Sequence, residues 1–265
     1  MAGVVSMTEI KARWEAEQHA LSKRIITKDD FSWSLKESKG HPPLSLIGGV
    51  DISFFKGSAT KACAMLVIAR YPDLSIVYQD CQITDVKEPY INGFLAFREV
   101  SHLLPLIEKL RINFPSLVPQ VIMVDGNGLL HQRRCGLASH LGVLCGIPTI
   151  GVSKLFTEVD SMKKEEVRLL RSKLVNKGDY VPLVGASNYI WGTMVKTTDE
   201  PDTTPVYVSI GHRISLETAT SIVIACSIVR EPEPIRQADR LSREVVKLVS
   251  SGYVTGKYLS SMIHM

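Results

Sequence analysis

Three acidic residues stand where a carboxylate is costly. Asp51 follows Leu46-Ile47-Gly48-Gly49-Val50 and precedes Ile52, inside an apolar extended run. Asp125 ends Val121-Ile122-Met123-Val124 and opens the loop Asp125-Gly126-Asn127-Gly128. Glu99 lies in a helical pattern, on the flank of the apolar arc between the directions of Leu95 and Leu110, away from His102 and Lys109. Taken singly, each has an ordinary explanation: a turn or cap residue for the aspartates, an ion-pair partner of Arg98 for Glu99. Brought together, three carboxylates repel at neutral pH unless one holds a proton or the set holds a cation. Hard oxygen ligands with open positions suit Mg²⁺, with Mn²⁺ as a substitute. Such ions act on phosphates by polarising a phosphoryl oxygen and activating water.

The surrounding pattern indicates how these residues meet. Thr8 to Ile25 reads as an amphipathic opening helix. Leu44 to Phe54, Ala62 to Tyr71 and Ser75 to Ile83 are extended segments separated by Gly57-Ser58 and Pro72-Asp73, which predicts an antiparallel meander. A helix over Gly93 to Leu110 follows, with a kink expected at Pro105. Next come a buried strand at Val121 to Val124, a helix at Leu137 to Leu144 and a strand at Pro148 to Val152. Lys154 to Gly178 is loosely patterned, with helix at Val167 to Val175. Tyr189 to Thr197 and Val206 to Ser209 suggest a late hairpin, and helices at Ser215 to Val229 and Ile235 to Ser250 close the chain. The order predicts a single α/β domain over 1–265, with a mixed sheet flanked by helices and its core at about 44–250. In that sheet the strands carrying Asp51 and Asp125 are natural neighbours.

Composition bounds the partners. The chain has 265 residues, 45% hydrophobic and 22% charged, with a formal charge of +4. That excludes a disulfide miniprotein, a collagen and a disordered tail. The weak net charge permits nucleic-acid binding through a local basic groove. The densest basic cluster near the acidic loop is His131, Arg133 and Arg134, expected to contact phosphates. Lys163-Lys164 reads as a solvated face. Five scattered cysteines without a C-x-x-C pair suggest buried thiols of an intracellular protein, cytoplasmic with the nucleus or nucleolus as the alternative, and no membrane partner is expected.

Several long motifs carry a resemblance. Val50-Asp51-Ile52-Ser53, Pro89 through Glu99, Val124 through Gly128, His131 through Gly142, Ile150 through Lys154, Gly211 through Ser215 and Pro232 through Asp239 together resemble endonuclease V, in the family's order and over most of the chain. The resemblance implies an RNase H-like fold and a Mg²⁺-dependent nuclease that cuts the second phosphodiester bond 3′ to inosine. It implies metal-binding roles for Asp51 and Asp125 and a catalytic carboxylate in Glu99. Asp239 corresponds to a fourth active-site position that bacterial members fill with histidine and animal members with aspartate. Lys154 corresponds to the active-site lysine, able to neutralise the scissile phosphate or orient water.

Tyr90, within Pro89-Tyr90-Ile91-Asn92-Gly93, corresponds to the wedge that replaces the stacking lost when a base leaves. Asn92 stands where many members have proline. The Gly126-Asn127-Gly128 loop is expected to offer backbone N–H groups to a base edge. The leading expectation is a monomeric endoribonuclease acting on inosine-containing single-stranded RNA. The alternatives are a DNA repair nuclease acting at deoxyinosine and a non-catalytic inosine-RNA binding protein.

Overall fold

The computed structural model describes residues 6–35, 40–201 and 203–253, so the domain expected over 1–265 extends at both ends past the described residues. The chain opens with α1 (Met7–Ser22), capped reciprocally by Ser6 and Glu9. Three strands follow, β1 (Leu46–Phe54), β2 (Lys61–Arg70) and β3 (Ile76–Asp85), then the long helix α2 (Leu95–Asn113). Next come β4 (Val121–Asp125), α3 (Leu137–Cys145), β5 (Thr149–Ser153) and the short α4 (Lys164–Leu169), which continues as a 3₁₀ turn over Leu170–Lys173. The remaining elements are β6 (Tyr180–Val184), β7 (Ile190–Val195), β8 (Val206–His212), α5 (Leu216–Ala225) and α6 (Glu233–Ser250).

All eight strands join one mixed sheet in the order β3-β2-β1-β4-β5-β8-β7-β6. The meander is antiparallel, β1, β4 and β5 run parallel, and β8, β7 and β6 return antiparallel. β2 is buried from Ala62 to Ala69 because helices cover both faces, which is why its sequence is a continuous apolar run rather than an alternation. On one face Val50, Leu66 and Val124 pack against Val100, Leu103 and Ile107 of α2 and Leu141 of α3. On the other, Met65 and Val67 meet Ala238 of α6, while Val208 and Ile210 meet Ala219 and Ile222 of α5.

Two expectations change. β6 is absent from the sequence-based pattern because Pro182 interrupts a five-residue segment, and proline is tolerated there only because β6 is an edge strand. α2 runs through Pro105 as expected, with Leu106, Ile107 and Leu110 buried, so core packing carries the helix past the missing N–H; what changes is its bounds, Leu95 to Asn113 instead of Gly93 to Leu110. Four of the five free cysteines are buried and Cys81 is partly exposed.

Candidate active site

The parallel strands β1, β4 and β5 lie in the middle of the sheet and their carboxyl ends point the same way, the end at which such sheets place their sites. β1 pairs with β4 in parallel register, Val50 opposite Val124, so Asp51 and Asp125 follow side by side as expected. Strand alternation puts Asp51 on the α6 face together with Ile47 and Gly49. Gly49 is indispensable there: a Cβ would lie 2.1 Å from the Pro234 carbonyl oxygen, so only glycine lets the start of α6 rest on β1. That contact brings Asp239 and Ser242, one turn apart on α6, over Asp51. Ser242 Oγ donates to Asp51 Oδ2 at 2.9 Å, and the Arg243 guanidinium holds Asp239 Oδ1 at 2.8 Å. Glu99 approaches from α2 and is 9% exposed.

Electrostatically the cluster is under strain from its own charge. Burial, then repulsion from Asp125, pushes Asp51 up to about 6. Burial, then Asp51 and Asp125, pushes Glu99 up to about 8, so Glu99 carries a proton at neutral pH. Asp125 is raised by burial, although the Lys154 ammonium at 3.0 Å opposes the shift. Burial alone would lower Lys154, but Asp125 and Glu231 together hold it above its usual range.

Among the described residues, no three Asp, Glu, His or Cys groups already surround a common point at ligand spacing. The reason is visible in the partners: Lys154 holds Asp125, Ser242 holds Asp51 and Arg243 holds Asp239. The donor set nonetheless fits a hard divalent cation. Carboxylates whose proton affinity is raised by mutual repulsion are those that a cation relieves.

Beside the cluster a cavity of about 390 Å³ is walled by Tyr90, Ile91, Asn92 and Gly93 on one side and by Asn127, His131, Phe156 and Thr157 on the other. Tyr90 projects into solvent, 68% exposed, with Arg98 over its ring at 5.7 Å. Asn127 Nδ2 donates to Thr157 Oγ1 at 2.8 Å, while its buried Oδ1 has no partner among the described residues. The neighbouring glycines do not offer their N–H groups as expected. The Gly126 N–H donates to Val152 O and the Gly128 N–H to Ser209 Oγ, which tie the loop to β5 and β8. Neither they nor Pro89 line the cavity.

The basic cluster is also used differently. The Gly93 carbonyl, where the chain turns with φ +80°, accepts from Gln18 Nε2 (3.2 Å), His131 Nε2 (3.0 Å) and Arg133 Nη2 (2.7 Å). Burial, then Arg133, pushes His131 down to about 4, so its ring is neutral. Arg134 stacks its guanidinium over Tyr189 and Trp191, at 4.2 and 5.0 Å. Local sequence could not assign these donors because their acceptors are brought in by other elements.

Three participants escaped the sequence-based reading. Glu231 Oε2 stands 3.2 Å from Lys154 Nζ, one residue before a motif that was recognised. Ser242 lies three positions past Asp239, and that helical spacing is a usable signal. Gln18, 1% exposed, also donates to Cys135 O at 2.8 Å, and nothing in a charged opening helix marks it as buried.

An RNase H-like sheet with clustered carboxylates and a lysine at the ends of its parallel strands defines a phosphodiester-cleaving nuclease. The chain matches the endonuclease V family over residues 27–240 and belongs to that family. It is 45% identical over 244 residues to endonuclease V of mouse, covering 90% of this chain and 70% of the relative, and 42% identical to the human protein. The crystal structure of the catalytic domain of human endonuclease V superposes with a TM-score of 0.86, at 42% identity, over 92% of this chain and 98% of that one. Ciona intestinalis endonuclease V, solved with a 23mer DNA containing an inosine followed by a ribo-adenosine, gives a TM-score of 0.82 at 36% identity, over 92% and 100% of the two chains.

Proposed function

We propose that this nuclease is a Mg²⁺-dependent endoribonuclease that cuts inosine-containing single-stranded RNA at the second phosphodiester bond 3′ to inosine, leaving 5′-phosphate and 3′-hydroxyl ends. The observation that carries the reading is the juxtaposition of a carboxylate cluster and Lys154 with a cavity of nucleobase size edged by an exposed aromatic ring. Asp51, Asp125 and Asp239 would hold the cation, which supplies charge neutralisation at the phosphate and lowers the cost of deprotonating water. Glu99 carries a proton in the cation-free protein; with a cation held beside it the ionised form is favoured, and the carboxylate would then accept the proton of the attacking water. Lys154 Nζ, held by both Asp125 and Glu231 in the cation-free protein, would face the scissile phosphate with Glu231 keeping it in place if Asp125 served the cation. Tyr90 stacks in the gap left by the extruded base. Asn127 lines the cavity, and its buried Oδ1, without a partner among the described residues, is an acceptor suited to the N1–H that distinguishes inosine from adenosine. The ribose preference is supported by Asp239 at the position that animal members fill with aspartate.

The test incubates matched inosine and deoxyinosine strands with Mg²⁺, Mn²⁺ or chelator and maps the ends. Cutting of the RNA two bonds 3′ to inosine, abolished by chelator, is expected. Cutting of the deoxyinosine strand alone would move the protein to DNA repair, and binding without cutting would make it an inosine-RNA binding protein.

A further inference from the structure

Beyond Lys154 a second cavity of about 400 Å³ opens, and every charged residue that lines it is basic: Lys154, Lys164, Arg168, Arg171 and Arg230. It adjoins the base cavity through Phe156 and Lys164, which line both. It continues past Arg171 and Pro205 into a further hollow of about 260 Å³ that adds Lys196. Lys164, Arg168 and Arg171 stand at i, i+4 and i+7 along α4 and its 3₁₀ extension, so they share one side of that segment.

Arg230 is pinned by the carbonyls of Thr204 and Lys154 and makes a fixed part of the wall. Arg168 and Arg171, by contrast, make no side-chain hydrogen bond and no ion pair among the described residues. Cations grouped this closely repel one another unless an anion joins them. A chain with a net charge of only +4 has thus concentrated five cations in one trench leading from its proposed cleavage site.

We propose that this trench holds the phosphate backbone of the single-stranded substrate on one side of the cut, extending the footprint of the enzyme beyond the base cavity and the scissile bond. Aromatic Phe156 and Tyr207 in its wall suit an unpaired strand. The proposal rests on the reading that Lys154 faces the scissile phosphate, and it gives α4 a phosphate-binding role of its own.

The test measures binding of single-stranded RNA by fluorescence anisotropy in chelator. Three strands are compared: a short one spanning only the inosine and the cut bond, and two extended from it on the 5′ or the 3′ side. Arg168→Ala/Arg171→Ala is expected to weaken binding of one extended strand roughly tenfold and to lower the log–log salt slope by about 1.4, at about 0.7 per single-strand phosphate. Affinity for the short strand is retained. Arg168→Lys/Arg171→Lys, which keeps the charge, restores most of the slope, and thermal unfolding verifies that both variants are folded. No loss, an equal loss on all three strands, or a lysine variant as weak as the alanine one would overturn the proposal. Because phosphates are read rather than bases, the same loss is expected when adenosine replaces inosine. If the unmodified protein shows no inosine preference at all, the cleavage reading fails while the trench is still judged by its own length dependence.

Discussion

Asp51→Asn should inactivate the enzyme and at the same time stabilise the cation-free protein. The substitution keeps the shape, and its amide oxygen still accepts from Ser242; what it removes is the charge that burial and Asp125 oppose. An Asp held at about 6 in the folded protein, against an ordinary 3.8, binds its proton more tightly folded than unfolded. Stability is therefore fully present below about pH 4 and is lost as pH rises towards 6. Glu99, at about 8, extends the loss to higher pH. At about 1.4 kcal/mol per pH unit the Asp51 contribution approaches 3 kcal/mol, and sharing of the strain with its coupled neighbours leaves about 1–3 kcal/mol recoverable. For a chain of this size that is about 3–10 °C in Tm.

The assay is thermal unfolding of both proteins in chelator at about pH 3.5, below both the ordinary and the raised Asp51 range, and at about pH 8.5, then with Mg²⁺. Near-equal Tm values are expected at the low pH and a more stable variant at the high pH. Added Mg²⁺ should raise the unmodified protein more than the variant, because a cation that binds only the folded site stabilises it by mass action. A variant no more stable at the high pH, or equally more stable at both pH values, would refute the argument that mutual repulsion strains this cluster.

Tyr90→Ala should leave Tm unchanged, since the ring is 68% exposed, while costing about 1–3 kcal/mol of substrate stacking, read as a raised KM and a lower inosine-over-adenosine ratio. Gln18→Leu strips one donor from the Gly93 and Cys135 carbonyls and the acceptor from Arg133 Nε. A Tm loss equivalent to about 2 kcal/mol is expected, with faster amide exchange at Asn92 to Phe94, and unchanged exchange there would show that the clamp does not hold the loop. Asp160, at φ +50°, accepts from Ser187 and Trp191 Nε1, and those bonds hold its carboxyl below the ordinary range. Asp160→Ala should lower the urea midpoint at pH 7, and the difference should shrink as acid protonates the unmodified Asp160 below pH 4; a difference independent of pH would exclude the charged acceptor.

Much of the site could be read before folding. Asp51, Asp125 and Lys154 each interrupt or end an apolar strand, and a short polar break in a strong period is visible from neighbours alone. Glu99 was placed by helical geometry, since its direction relative to Leu95 and Leu110 needs only the 100° step. The roles of His131, Arg133 and Arg134 could not be read in this way. A side-chain donor is defined by its acceptor, and here the acceptors belong to residues about forty or more positions away. β6 was hidden because an edge strand with a proline has little pattern of its own.

The sequence by itself determined which residues carry charge against their surroundings, and hence the chemistry of the centre, because burial of a strand is written in its local pattern. Only the tertiary structure decided who partners whom. The α6 face laid on Gly49, the three donors on Gly93, Glu231 beside Lys154 and five cations along one trench all depend on long-range packing, which no window of sequence contains.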